Sequence, residues 1–349
     1  MAHAIRFYQT GGPEVMRWEK VGAGDTADRP LQPGFARVRH HAIGVNFIDT
    51  YYRSGLYPVE LPAGVGEEAA GVIEAIGECI DGDTGDKRGD KNGDNIVAEF
   101  KPGDRVVYVN GPLHPVGAYS EVRDIPLDRL VKLPDAIDFR TAAAMMLRGL
   151  TAQYLLRRVH RVMPGETLLF HAAAGGVGLI ACQWAKALGA TVIGTVSTAE
   201  KAAIAHAHGC DHVIVTSHEN FVARVKEITG GEGVPVVYDS VGKNTFMDSL
   251  DCLRPMGLMV SFGNASGPPP ALELRELARR GSLFVTRPSL YTYTAKRSDL
   301  LAMADELFAV VMAGQVKIEI NQTYALKDAA LAHADLTARK TTGSTILLP

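Results

Sequence analysis

Cysteine is scarce in this chain and never grouped. Its four cysteines, Cys79, Cys182, Cys210 and Cys252, show no Cys-x-x-Cys spacing, which excludes a four-thiolate zinc lobe and a disulfide framework and suits a reducing cytoplasm. Charge of one sign is missing as well: 36 Lys and Arg stand against 39 Asp and Glu, a formal charge of −3. No broad basic field marks nucleic acid as the main partner. Long apolar runs are absent. The most apolar stretch, 168–196, is interrupted by His171, Lys186 and several glycines, and Met1 to Arg6 lacks the apolar core of a signal peptide, so neither a membrane span nor secretion is expected. What remains is 349 residues, 46% hydrophobic and 21% charged, enough for a large core and two domains.

The texture changes along the chain. Short β-like runs divided by Gly and Pro fill the first part, among them Ala69 to Ile76, Asp104 to Val109 and Ala118 to Val122, a compact all-β pattern. From Asp138 helix and strand alternate: Phe139 to Arg158, Leu168 onward, Thr191 to Val196, Ala199 to His208, Val213 to Val215, Phe221 to Ile228, Val234 to Tyr238, Lys243 to Leu253, Leu258 to Phe262 and Ser282 to Thr286. Such alternation predicts an α/β fold with a doubly wound parallel sheet. A helix over Ser298 to Ala313 and a last strand, Thr345 to Leu348, return the chain to its first domain. The expected boundaries are 1–134, 135–286 and 287–349. The segment Asp81 to Asn95 has no apolar side chain. It starts like a calcium loop, but Asn92 stands at the twelfth position, where a bidentate Glu is needed, so it reads as a solvated hairpin tip.

The most informative segment is Leu168-Leu-Phe-His-Ala-Ala-Ala-Gly-Gly-Val-Gly178. Ala173, Gly175 and Gly178 occupy the spacing of the dinucleotide fingerprint, in which small residues make the turn, admit the pyrophosphate and pack helix on strand. The free amides of the following helix face the anion. An NAD-preferring site carries Asp or Glu about 20 residues further on; here that point reads Ile193-Gly-Thr-Val-Ser-Thr198, without an acid. Ser197-Thr-Ala-Glu200 has capping-box spacing, which turns Glu200 back on its own helix. A 2′-phosphate would then meet the Ser197 hydroxyl, the helix amides and Lys201. The cofactor read from these residues is NADPH.

Further motifs follow in order: Gly11-Gly-Pro-Glu-Val15, Gly44-Val-Asn-Phe-Ile-Asp-Thr-Tyr-Tyr-Arg-Ser-Gly-Leu-Tyr57, Gly66-Glu-Glu-Ala-Ala-Gly71, Pro102-Gly-Asp-Arg-Val-Val-Tyr108, Tyr238-Asp-Ser-Val-Gly242, Ser261-Phe-Gly-Asn264 and Thr286-Arg-Pro-Ser-Leu290. With these motifs the sequence resembles the quinone oxidoreductases, the zeta-crystallin-like, zinc-free branch of the medium-chain dehydrogenase/reductase superfamily, along nearly its whole length. The resemblance implies a Rossmann domain joined to a GroES-like β-rich domain that the C-terminal tail completes, with the active cleft between them. Zinc-dependent relatives use a Cys near Asn46 and a His at the place of Glu67, so the soft ligand set of a catalytic zinc is missing and no metal is expected. A hydride acceptor that needs little polarisation, such as a quinone, fits that loss.

The resemblance also implies site residues. Asn46, Phe47, Asp49 and Tyr51 lie beside the nicotinamide and its ribose. Asn46 offers a neutral donor and acceptor for the carboxamide or the acceptor carbonyl, while Tyr51 and Tyr52 stack on a flat quinone or give a phenolic proton. Asp49 has two readings, ribose acceptor and turn former. Tyr154, Gly175, Gly176, Val177, Ser240, Val241, Phe262, Gly263, Asn264 and Ser289 contact the cofactor in the resembled enzymes. Thr216 stands where the family carries a tyrosine over the adenine-phosphate end. His171 reads as a buried, satisfied histidine, Cys182 as an inert packed thiol, Glu67 and Glu68 as opposed strand residues that cannot share a ligand, and Arg148 as a phosphate contact or a surface ion pair. A homodimer through edge strand Ser282 to Thr286 and a cytoplasmic location complete the expectation. Two alternatives stand beside quinone reduction: an NADPH-dependent enone or 2-alkenal reductase, and a non-enzymatic NADPH-liganded binding protein.

Overall fold

The computed structural model describes residues 2–21, 31–77, 96–111 and 116–349. The expected hairpin tip at 81–95 and Cys79 lie outside the described residues. Two compact units form, one from Met1–Leu147, Thr294–Ala304 and Ile320–Pro349 and the other from Arg148–Tyr293 and Asp305–Glu319.

The first unit is organised around the eleven-residue strand Phe35–Val45. Ala36, Val38, His40 and Ala42 point inward and alternate with Arg37, Arg39 and His41, the period of two that a half-buried strand requires. One edge pairs antiparallel with Glu68–Ile76. The other is shared, the first half taking Val122–Pro126 and the second half the chain's last strand, Ser344–Leu348, with Ile346 opposite Gly44. Ile5, Phe7, Val38, Val106, Tyr119 and Leu347 belong to its core. The run Ala118 to Val122 does not form the expected strand. The Ala118 and Tyr119 amides go instead to the Gly66 and Val65 carbonyls and the Glu121 amide to the His3 carbonyl, the Tyr119 carbonyl takes the Ile5 amide, and the strand itself begins only at Val122.

The second unit is a parallel six-stranded sheet: β1 (Thr167–Phe170), β2 (Thr191–Val196), β3 (His212–Val215), β4 (Val234–Asp239), β5 (Leu253–Ser261) and β6 (Phe284–Thr286). Their order across the sheet is β3-β2-β1-β4-β5-β6, the doubly wound order that reverses direction beside β1. Helices α1 (Gly176–Ala187), α2 (Ala199–Ala207), α3 (Phe221–Ile228) and α4 (Phe246–Leu250) make the crossovers. Val234, Val236, Val237 and Tyr238 of β4 are all buried, as a strand covered on both faces must be. The helix expected over Lys243 to Leu253 shrinks to α4, because Gly242 turns with a φ of +88° and Leu253 already pairs with Val234. The helix from Phe139 ends at Tyr154 and widens over Leu155–Val159 into a π-helical turn. The buried Tyr238 hydroxyl donates to the Leu155 carbonyl there, at 3.0 Å.

Candidate active site

β1 runs directly into the fingerprint turn. Ala172 takes a left-handed conformation, φ +55°, so the strained position falls one residue before the Ala173 that the spacing marks. Gly175 caps α1. A Cβ on Gly178 would lie 2.5 Å from the Ala172 carbonyl oxygen and 2.6 Å from that of Ala173, so helix and strand close up only around a residue without a side chain. Gly176 and Val177 sit half-buried in the first turn of α1, where backbone amides have no intrahelical acceptor and face an anion. This cradle fits a pyrophosphate.

After β2 the geometry departs from expectation. The cap of α2 is Thr198, whose hydroxyl accepts the Lys201 amide at 3.4 Å, and not Ser197. Ser197 is the last exposed residue before the cap, so its hydroxyl is not taken up by helix capping. Glu200 is exposed, and its carboxyl is held below the usual range first by the Thr198 hydroxyl. Thr216, just past β3, gives both its amide and its hydroxyl to the Val196 carbonyl, at 2.9 and 3.1 Å, and so stands beside the Ser197 strand end.

The turns after β4 and β5 interlock backbone to backbone. Ala265 and Ser266 amides donate to Ser240 and Val241 carbonyls at 3.1 and 2.8 Å, and a Cβ on Gly263 would meet the Ser240 carbonyl oxygen at 2.5 Å. Phe262 leans on Phe170 with ring centres 5.8 Å apart. Tyr154 is buried and stacks face to face on Tyr293 at 4.8 Å; burial raises its phenol pKa. Ser289 is exposed and its carbonyl accepts the Thr292 amide at 3.0 Å. Arg287, to which no role was assigned, donates to the Ser261 carbonyl at 2.8 Å.

In the first unit Asn46 caps the helix Phe47–Ser54. Its own N–H donates to the Asp49 carboxyl at 2.8 Å, and its side-chain amide donates to Glu68 Oε1 at 2.7 Å. Glu68 Oε2 accepts the Leu147 amide. Gly44 makes room for this contact, since a Cβ there would sit 2.1 Å from Glu68 Oε1. Asp49 is wholly buried and also accepts the Tyr119 hydroxyl at 2.9 Å. Burial raises its pKa well above the ordinary range, with Glu67 adding to the effect. Its carboxyl takes the turn-forming contact of a capping box with the Asn46 amide. Phe47, Tyr51, Tyr57 and Tyr52 form an edge-to-face chain with successive ring separations of 5.7, 5.2 and 5.8 Å.

Tyr57 was missed by sequence reasoning. The signal lay in Gly55, whose φ of +81° ends the helix and brings the Tyr57 amide back to the Tyr51 carbonyl at 3.1 Å. Arg148 is a correction of another kind: it is 5% exposed and so is not a surface residue. His171 is wholly buried with both ring nitrogens engaged. Glu67 and Glu68 are wholly buried too. Among the described residues no group of three His, Cys, Asp or Glu is arranged to hold a metal ion.

Comparison with known proteins agrees with this architecture. Residues 32–135 match the alcohol dehydrogenase GroES-like domain and residues 176–306 the zinc-binding dehydrogenase domain. The quinone oxidoreductase of Pseudomonas aeruginosa is 54% identical, with 100% of both chains covered. The 2-haloacrylate reductase of a Burkholderia species is 44% identical over 100% of this chain and 99% of its own. Among solved structures, Escherichia coli quinone oxidoreductase complexed with NADPH superposes with a TM-score of 0.89 at 48% identity, covering 99% of this chain and 100% of that one. With the GroES-like and Rossmann folds both present and half of all residues shared end to end with such enzymes, the chain belongs to the quinone oxidoreductase family of the medium-chain dehydrogenases/reductases.

Proposed function

We propose that this protein is an NADPH-dependent quinone reductase that works without zinc. Quinone, NADPH and a proton become hydroquinone and NADP+. When bound, the reduced nicotinamide supplies the hydride. The observation that carries the reading is the Asn46 amide, fixed by Glu68 at 2.7 Å, where a metal-dependent relative would need a soft ligand. One amide hydrogen is held by Glu68, and the same rotamer sets the direction of the other toward the acceptor oxygen or the carboxamide. Asp49 acts through Asn46 as a positioning residue, and Phe47 and the Tyr51, Tyr52 and Tyr57 rings offer a flat oxidant an aromatic wall. The Tyr51 phenol or solvent delivers the proton to the developing oxyanion.

The cofactor is held by the strand ends of the Rossmann unit. Gly175, Gly176 and Val177 take the pyrophosphate on backbone amides, Ser197 and Lys201 take the 2′-phosphate beside Thr216, and Tyr154, Ser240, Val241, Phe262, Gly263, Asn264 and Ser289 line the nicotinamide end. The functional division in this reading is 1–134, 135–286 and 287–349. The buried free thiols of Cys182, Cys210 and Cys252 suit a cytoplasmic setting. Among the described residues no helix is long and apolar enough to cross a membrane.

A second reading is favoured by the 44% identity to 2-haloacrylate reductase: the same hydride would reach the β-carbon of an activated alkene. The pure protein mixed with NADPH and a panel of quinones should consume NADPH, with smaller turnover on enones and haloacrylates. Absence of NADPH loss above background with every quinone overturns the main reading, and turnover confined to activated alkenes establishes the second.

A further inference from the structure

A row of polar side chains crosses three neighbouring strands of the Rossmann sheet where the cofactor turns begin. The register places Gly194 and Tyr238 beside Phe170. One residue further on, Thr195 of β2, His171 after β1 and Asp239 of β4 therefore share one level and one face of the sheet. All three are buried, His171 and Asp239 completely. Ser249 of α4, also wholly buried, fills the gap between them. His171 Nδ1 lies 2.8 Å from Thr195 Oγ1, and its Nε2 lies 2.9 Å from Ser249 Oγ. Asp239 Oδ2 accepts the Thr245 hydroxyl at 2.7 Å and stands 3.4 Å from Ser249 Oγ. Asp239 Oδ1 accepts the amides of Val241 and Gly242 at 2.7 and 3.1 Å.

The protons in this row can be assigned by counting. Ser249 has one hydroxyl hydrogen, and it points to the Thr245 carbonyl at 2.8 Å or to Asp239 Oδ2. The hydrogen between Ser249 and His171 must then come from the ring, on Nε2. Burial keeps the imidazole neutral by lowering its pKa, so Nδ1 carries no hydrogen and accepts from Thr195. Donors thus run in one direction, from β2 through His171 to Ser249, whose hydrogen goes on to the Thr245 carbonyl or Asp239 Oδ2, while the Thr245 hydroxyl donates to the Asp239 carboxylate.

We infer that Thr195, His171, Ser249 and Asp239 form a directed hydrogen-bond ladder that positions the three cofactor turns relative to one another, with Asp239 as the positioning residue for the nicotinamide turn. The three strand-end members each stand one to four residues before a proposed contact: Thr195 before Ser197, His171 before Gly175, Asp239 before Ser240 and Val241. The inference rests on the NADPH reading above. It explains why a carboxylate is placed where no solvent reaches it: two of the four groups around it are backbone amides of the turn it holds.

Two measurements on the full chain test it. With 15N-labelled histidine, the His171 signals should report the neutral Nε2–H tautomer; an Nδ1–H tautomer reverses the donor direction and overturns the ladder. Ser249→Ala should remain folded by circular dichroism, yet weaken NADPH binding in a fluorescence titration and lower kcat by roughly tenfold each, with the quinone KM unchanged. His171→Phe should do the same, and His171→Gln, which keeps a donor toward Ser249, should recover most of the loss. Variants that lose thermal stability while NADPH affinity and kcat stay at the wild-type values show a merely structural network and overturn the inference. Wild-type protein that binds no NADPH refutes the earlier functional reading instead, and the tautomer result still decides the donor direction.

Discussion

Gly178 has no room for a side chain. Two backbone carbonyl oxygens would stand 2.5 and 2.6 Å from its Cβ, and backbone cannot swing aside as a flexible side chain does. Gly178→Ala should therefore destabilise the protein by about 1–3 kcal/mol, measured as a lower urea midpoint, and should weaken NADPH binding by opening the cradle. Gly175 and Gly178 were legible because the fingerprint spacing encodes a close approach of backbones. The cap of α2 was not. Ser197 and Thr198 are chemically alike, and the choice of Thr198 depends on where β2 stops, which its pairing with β1 and β3 decides. The burial of Asp49 was equally illegible, because it depends on Tyr119, 70 residues away, donating to it.

At the scale of elements, β6 is the exposed edge of the parallel sheet. Phe284 is 61% and Val285 37% exposed on it, and an apolar edge strand with open hydrogen-bonding groups invites pairing with another strand. The homodimer that the family resemblance leads one to expect would use this edge. Light scattering should return twice the chain mass for the wild type and the single-chain mass for Phe284→Lys/Val285→Lys, because the two-fold brings the lysines of one protomer against those of the other. A wild-type value of one chain mass refutes the dimer. Element types were readable wherever period and length agreed, as in α1 or β4. They were misread where a run's hydrogen bonds go to several partners, as at Ala118 to Glu121, or where a glycine delays the helix start, as at Gly242.

For the whole molecule, buried histidines set the response to acid. Burial pushes the pKa of His40 and of His333 down to about 3, against about 6.5 in the unfolded chain. Between those values the unfolded state binds more protons, so stability is full above the higher value and falls as pH drops, by about 1.4 kcal/mol per pH unit for each histidine. Asp49 works the other way. Its raised pKa favours the protonated form in the folded state, which opposes the histidine effect. His171, lowered by burial in the second unit, adds to the histidine side. Thermal midpoints should rise steadily from about pH 4 to about pH 6.5; a flat profile over that range contradicts the neutral buried imidazoles. His40→Gln should flatten the slope.

The sequence by itself determined the strand, turn and helix of the cofactor cradle and the alternation that yields a parallel sheet. These are local properties: spacing, period and residue type act over a few positions, and no distant partner is needed to specify them. Only the tertiary structure decided that Glu68 grips Asn46, that Asp49 is buried against the Tyr119 hydroxyl, and that Thr195, His171 and Asp239 fall in one row. Each of those depends on bringing together residues 22 to 70 positions apart in sequence. Register follows from how whole faces bury their apolar side chains, so it is fixed by the assembled core and not by any single stretch of chain.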